Sequence, residues 1–171
     1  MYSVIYTIAI FALVGYLFYS WHNPKLVYVR SNVDNNTYIV RNESNKHEAA
    51  DLIATVNMRL EDLVLRLKKK YGNSDSRVNL LEKRFKNHEI RESIPRLNQT
   101  SYSLNKGERI VLCIRARNNT KKLIDLNTIT FVALHELAHI MTISIGHKKE
   151  FWENFKFILA HAIKWKIYNS V

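Results

Sequence analysis

The N-terminal stretch differs from everything after it. Residues 2 to 20 carry no charged side chain, whereas later segments mix apolar and polar positions. Nineteen helical residues would rise about 28 Å, close to the hydrocarbon thickness of a bilayer. Tyr2 and Tyr6 stand at one end and Tyr19 and Trp21 at the other, where interfacial aromatics belong. A cleaved signal peptide needs a basic start and a small-residue cleavage site, and this stretch has neither. The pattern therefore predicts a membrane-spanning helix, a membrane contact through residues 2–20 and a single-pass protein. Lys25, Arg30, Arg41 and Lys46 follow the span and no basic residue precedes it. The positive-inside rule then puts the rest of the chain on the cytosolic side.

Beyond Pro24 the periodicities change. Lys25 to Arg30 and Thr37 to Arg41 alternate as two short strands, a hairpin across Asp34-Asn35-Asn36. Asn45 and Glu48 have the spacing of a capping box, and Ala49, Leu52, Ile53, Val56, Leu60, Leu63, Val64 and Leu67 then share one helical face. Gly72 suits the end of that helix. A shorter helix is expected over residues 77–86, and a loop containing Pro95 over 89–106. A strand is expected from Arg109 to Arg117. A helix capped by Asn127 or Thr128 should run to about Ile145 and stop at Gly146, with a last helix over 149–168.

Composition narrows the class. The chain of 171 residues is 47% hydrophobic with only 4 Gly and 2 Pro, which excludes a disordered or fibrous protein. Its net charge of +11 makes nucleic acid or an anionic surface a candidate partner. Cys113 is the single cysteine, so no intrachain disulfide forms; within Ile110-Val111-Leu112-Cys113-Ile114 it reads as a small core residue. Asn35, Asn42, Asn98 and Asn118 match the glycosylation pattern, as several of 17 asparagines would by chance.

One constellation carries chemistry. His135 and His139, four residues apart on a helix, place two imidazoles on one face, able to grip one metal ion. Glu136 stands beside them, placed to take a proton from a water that such a metal acidifies. A catalytic zinc usually has three protein ligands and one open position. His147 is the obvious third, directly after Gly146, where the chain can turn back toward the metal. Glu150 is an alternative ligand or a partner of one. His161 reads as a packing or surface residue, and His22, His47 and His88 as solvated. The oxyanion donor is not named by the sequence; a Tyr, His or Arg from 89–106 or the last helix would serve, Tyr102 among them.

Three segments together are narrower than the helix motif. Arg109-Ile110-Val111-Leu112-Cys113-Ile114-Arg115, then Ala133 to Ile140, then Gly146-His147-Lys148-Lys149-Glu150-Phe151-Trp152, resemble WLM-type metallopeptidases, relatives of the SprT-like proteases that act on DNA–protein crosslinks. The resemblance covers residues 45–160. It implies one Zn2+ per chain held by His135, His139 and His147, with Glu136 as general base. It also implies that Phe151 and Trp152 pack the last helix beneath the site. The strand bearing Arg109, Val111, Cys113 and Arg115 would border the cleft and pair with an extended protein or peptide substrate. The spacing from His139 to His147 is nearer a SprT-like arrangement, and the N-terminal span belongs to neither group. The expected architecture is α+β. An anchor occupies residues 1–22, a linker with short strands 23–44, and a zincin-like metallopeptidase domain 45–171, a few-stranded sheet packed on helices. The expected activity is zinc-dependent hydrolysis of peptide bonds. An inactive membrane-tethered zinc-binding or nucleic-acid-binding module is the alternative. The oligomeric state is not legible.

Overall fold

The computed structural model describes residues 2–22, 26–94, 100–116 and 121–170, with side chains of the first helix described over 6–17. Asn98, Asn118, Pro24, Lys25 and Arg117, and the side chains of Tyr2, Tyr19, Trp21 and His22, lie outside those residues.

The first helix, α1 (Tyr2–His22), forms where the uncharged run lies. Its described side chains, residues 6–17, are all exposed. Among the described residues no helix is long and apolar enough to cross a membrane. The expected anchor, the membrane contact through residues 2–20 and the single-pass placement are therefore not supported, and the cytosolic assignment that rested on them falls too. What holds of the expected fold is the mixed α+β domain.

Strands β1 (Leu26–Arg30) and β2 (Thr37–Arg41) form the expected hairpin. Asn35 takes the left-handed conformation at φ 62°, which Asn tolerates better than most residues. The Asp34 carboxylate accepts from the Asn36 backbone and the Tyr38 hydroxyl, tying the turn to its strand. The long helix α2 (Lys46–Tyr71) buries the predicted face, with Ala49, Ile53, Val56, Leu60, Leu63, Val64 and Leu67 inside. Gly72, at φ 55°, ends it and donates to the Lys68 carbonyl. The capping box does not form: the Asn45 side chain makes no cap bond and instead engages Arg115 and the Lys121 carbonyl.

Helix α3 (Ser76–Phe85) is capped by Asp75, which accepts from the Arg77 backbone. Two strands then appear where a loop was expected: β3 (Glu89–Glu92) and β4 (Tyr102–Leu104). With β5 (Arg109–Leu112) they complete one five-stranded sheet, in the order β1-β2-β3-β5-β4. β2, β3 and β5 run parallel, while β1 and β4 are antiparallel to their neighbours. The hairpin expected as a linker is thus part of the sheet. Helices α4 (Leu126–Met141) and α5 (Lys149–Lys164) complete the core, which α2, α3, α4 and α5 share with the sheet. α5 ends four residues before the expected Tyr168, with Trp165 as its cap.

The predicted substrate-edge strand is corrected by this order. β5 is an interior strand, with β3 on one side and β4 on the other. Arg109 pairs with Leu104 and Glu89, and Val111 with Tyr102 and Arg91. The Cys113 backbone N–H donates to the Ser101 hydroxyl, and Arg115 bridges to Leu123. None of the four lies at the sheet's edge; among the described strands β4 does. Cys113 is half-buried rather than core. Arg115 is 2% exposed, its Nε 2.6 Å from Oε1 of Glu92, a carboxylate that Arg41 also engages at 3.0 Å.

Candidate active site

Helix α4 is capped by Asp125, two residues before the predicted Asn127 and three before Thr128. Its carboxylate accepts from the Thr128 backbone at 2.9 Å and from the Thr128 hydroxyl at 2.6 Å. The helix stops at Met141, four residues before the expected end. Thr142 is extended, and its hydroxyl turns back to the Ala138 carbonyl at 2.7 Å. The next two backbone N–H groups, of Ile143 and Ser144, leave the helical ladder for the two carboxylate oxygens of Glu150, at 2.8 and 3.0 Å. The early stop frees residues 142–148 as a loop, and Gly146 within it adopts φ 78° directly before His147.

That loop brings His147 back over α4. His147 Nε2 lies 3.0 Å from His135 Nε2 and 3.2 Å from His139 Nε2. All three ligand atoms fall within 4.8 Å of one another, so the triad could hold a metal ion. Two nitrogen ligands 2.0–2.1 Å from a tetrahedral centre stand about 3.3 Å apart, so the observed spacings fit such a centre. Phe151, fully buried, forms the floor: its ring lies 4.9 Å from that of His135, 4.3 Å from His139 and 4.6 Å from His147. Trp152 is not beneath the site. It is 48% exposed and flanks His147 at 5.9 Å.

The electrostatics suit metal ligation. Burial, then the neighbouring His135, His147 and Lys106, holds the His139 imidazole down to about 4, and burial with His147 lowers His135. A lowered pKa favours the neutral imidazole, the form that ligates a metal. Glu136 is 4% exposed; burial pushes its carboxyl up to about 7, partly offset by hydrogen bonds from the side chain and backbone of Ser103 on β4.

Glu150 is outside the triad, since both its oxygens hold the loop backbone. Tyr102 lies half-buried on the edge strand. His161 is a buried packing residue, as expected, and His47 is exposed. His88 is not solvated: its ring stacks on Phe85 at 3.7 Å and its Nε2 meets Asn57 at 2.6 Å. Sequence reasoning missed Ser103, Arg84, Lys106 and Asn154, all of which touch α4 or the loop after it. The alternation in Tyr102-Ser103-Leu104 followed by Asn105-Lys106-Gly107 was the available signal for β4 and its turn.

Comparison with known proteins agrees with this geometry. The WLM domain family model matches residues 73–169. Protein R325 of Acanthamoeba polyphaga mimivirus is 30% identical over 175 residues, covering 99% of this chain and 88% of the relative. Protein 136R of Invertebrate iridescent virus 6 is 36% identical over 71 residues, covering 41% of this chain and 39% of that protein. Among solved structures, Wss1 from Saccharomyces cerevisiae aligns with a TM-score of 0.53 at 22% identity, covering 72% of this chain and 85% of that one. At that identity the likeness establishes the fold. With the family model spanning more than half the chain and a viral relative aligned along nearly all of it, the protein belongs to the WLM domain family, a membership that supports a metallopeptidase-type function.

Proposed function

We propose that the chain is a zinc-dependent peptidase, with one zinc ion held by His135, His139 and His147 and with Glu136 as general base. The observation that carries this reading is the convergence of three Nε2 atoms beside a buried carboxylate. Three imidazoles that leave a fourth position open are a donor set of catalytic zinc. When bound, zinc acidifies a water and polarises the scissile carbonyl.

The chain's own residues supply the remaining steps. Glu136, poised near neutrality, accepts the proton of the attacking water and passes it to the departing amine. Ser103 steadies that carboxylate from the edge strand. Among the described residues β4 has no strand on its outer side, so an extended protein segment would pair there beside Glu136, main chain to main chain. This transfers the substrate role from β5 to β4.

The test is metal content with matched activity. The full chain and Glu136→Gln are analysed for zinc and then incubated with an unfolded protein. One zinc per chain in both, with cleavage lowered about 10²- to 10⁴-fold in the variant, is the expected result. Absence of zinc from the wild type would overturn the metal site. Zinc with no cleavage by either would favour a peptide-capturing module.

A further inference from the structure

The third candidate ligand stands on a loop rather than on a helix, and cations from two other elements grip that loop. Arg84, at the end of α3, donates from Nη1 to the carbonyls of Ile140 at 2.8 Å and Thr142 at 2.9 Å. Lys106, in the turn between β4 and β5, donates from Nζ to the carbonyls of Thr142 at 3.1 Å and Ser144 at 2.8 Å. The last carbonyls of a helix lack partners within it, and a cation there also meets the negative end of the dipole. Ser144 is three residues from His147, so Lys106 holds the segment whose course brings that imidazole over α4.

The turn itself is built for this reach. Asn105, Lys106 and Gly107 have φ of 47°, 56° and 117°. A left-handed residue other than glycine is strained, and Lys106 takes that conformation where its ammonium meets two carbonyls. A side chain at Gly107 would press within 2.9 Å of the Arg84 carbonyl and 3.0 Å of Ile140, so the turn sits hard against α3 and the last turn of α4.

We propose that Lys106, with Arg84 beside it, is a positioning residue for His147, making metal occupancy depend on the β4–β5 turn. This rests on the zinc reading above. The sign of the effect separates positioning from plain electrostatics. A lysine near a dication repels it, and Lys106 already acts on His139 in that sense. Removing its charge should tighten zinc binding if charge alone matters, and weaken it if Lys106 places the ligand.

Zinc affinity of the full-length wild type, Lys106→Met, Lys106→Arg and Lys149→Met is measured by chelator competition, alongside the visible spectrum of the cobalt(II)-loaded proteins and unfolding of the metal-free forms. Lys149 is exposed and, among the described residues, pairs with Glu153 at 3.8 Å, so it controls for lost charge. Lys106→Met should bind zinc about 10-fold or more weakly and alter the cobalt bands. Lys106→Arg should stay close to wild type, and Lys149→Met should match or exceed it. Equal or tighter zinc binding by Lys106→Met would overturn the proposal. Should Lys106→Met unfold without metal, Arg84→Met is judged by the same criterion. No zinc in the wild type would defeat the metallopeptidase reading and this inference together, whereas zinc in the wild type with unchanged affinity in the variants defeats this inference alone.

Discussion

Two groups of histidines in this fold face opposite situations. His161 has a partner at each ring nitrogen: the Phe157 carbonyl lies 2.8 Å from Nδ1, and the Tyr71 hydroxyl and Lys70 ammonium lie 2.9 and 3.2 Å from Nε2. The protein satisfies it completely. His135, His139 and His147 instead aim Nε2 atoms at one another, with His147 3.0 Å from His135 and 3.2 Å from His139. Three imidazoles so placed could share a cation, whereas His161 finds its partners within the fold. A histidine is read as ligand or packing by what its second nitrogen faces, which residue type alone does not show.

The difference can be broken from either side. Most severe is His139→Ala, which should abolish zinc binding and proteolysis together, read by elemental analysis and substrate cleavage; zinc retained at full stoichiometry would remove His139 from the ligand set. Replacing His161 with Phe should leave zinc content untouched and lower stability by about 1–2 kcal/mol, because the Tyr71 hydroxyl loses its acceptor. Urea unfolding with parallel zinc analysis checks this.

A gentler probe is pH. Neutral imidazole binds the metal, so a His139 held at about 4 keeps its lone pair through mild acid. In the metal-free protein the His139 ring should therefore show no titration by NMR between pH 7 and 5.5; a midpoint near the ordinary histidine range of about 6.5 would contradict it. The smallest effect concerns metal-free stability. A depressed His139 contributes stability that is complete above about 6.5 and lost as pH falls toward 4. A raised Glu136 contributes stability present below its ordinary 4.5 and lost as pH rises through about 7. The two slopes oppose each other. Glu136→Gln removes the second, so its stability should rise more steeply between pH 4 and 6.5 than that of the wild type.

Long periodic segments were legible in the sequence and short ones were not. The α2 stripe repeats over five turns, so core and register follow from spacing. β3 and β4, with four and three residues, are too brief to show a period. Missing β4 put the substrate edge on β5, and the uncharged N-terminal run suggested a span that the described helix does not support. The helical pair His135 and His139 with Glu136 was visible because it is local. Arg84 and Lys106 reach carbonyls 36 to 58 residues away, and the backbone acceptors they use leave no residue signature.

The buried carboxylate of Glu92 has a consequence for how the chain assembles. Its two cations come from opposite directions in sequence, Arg41 from β2 and Arg115 from beyond β5. A partly built sheet holding only one of them would leave an imperfectly compensated charge out of water, a penalty of several kcal/mol. Intermediates with β3 and β5 paired but β2 absent are thereby disfavoured. The cluster therefore favours a sheet whose strands β2, β3 and β5 come together in one step.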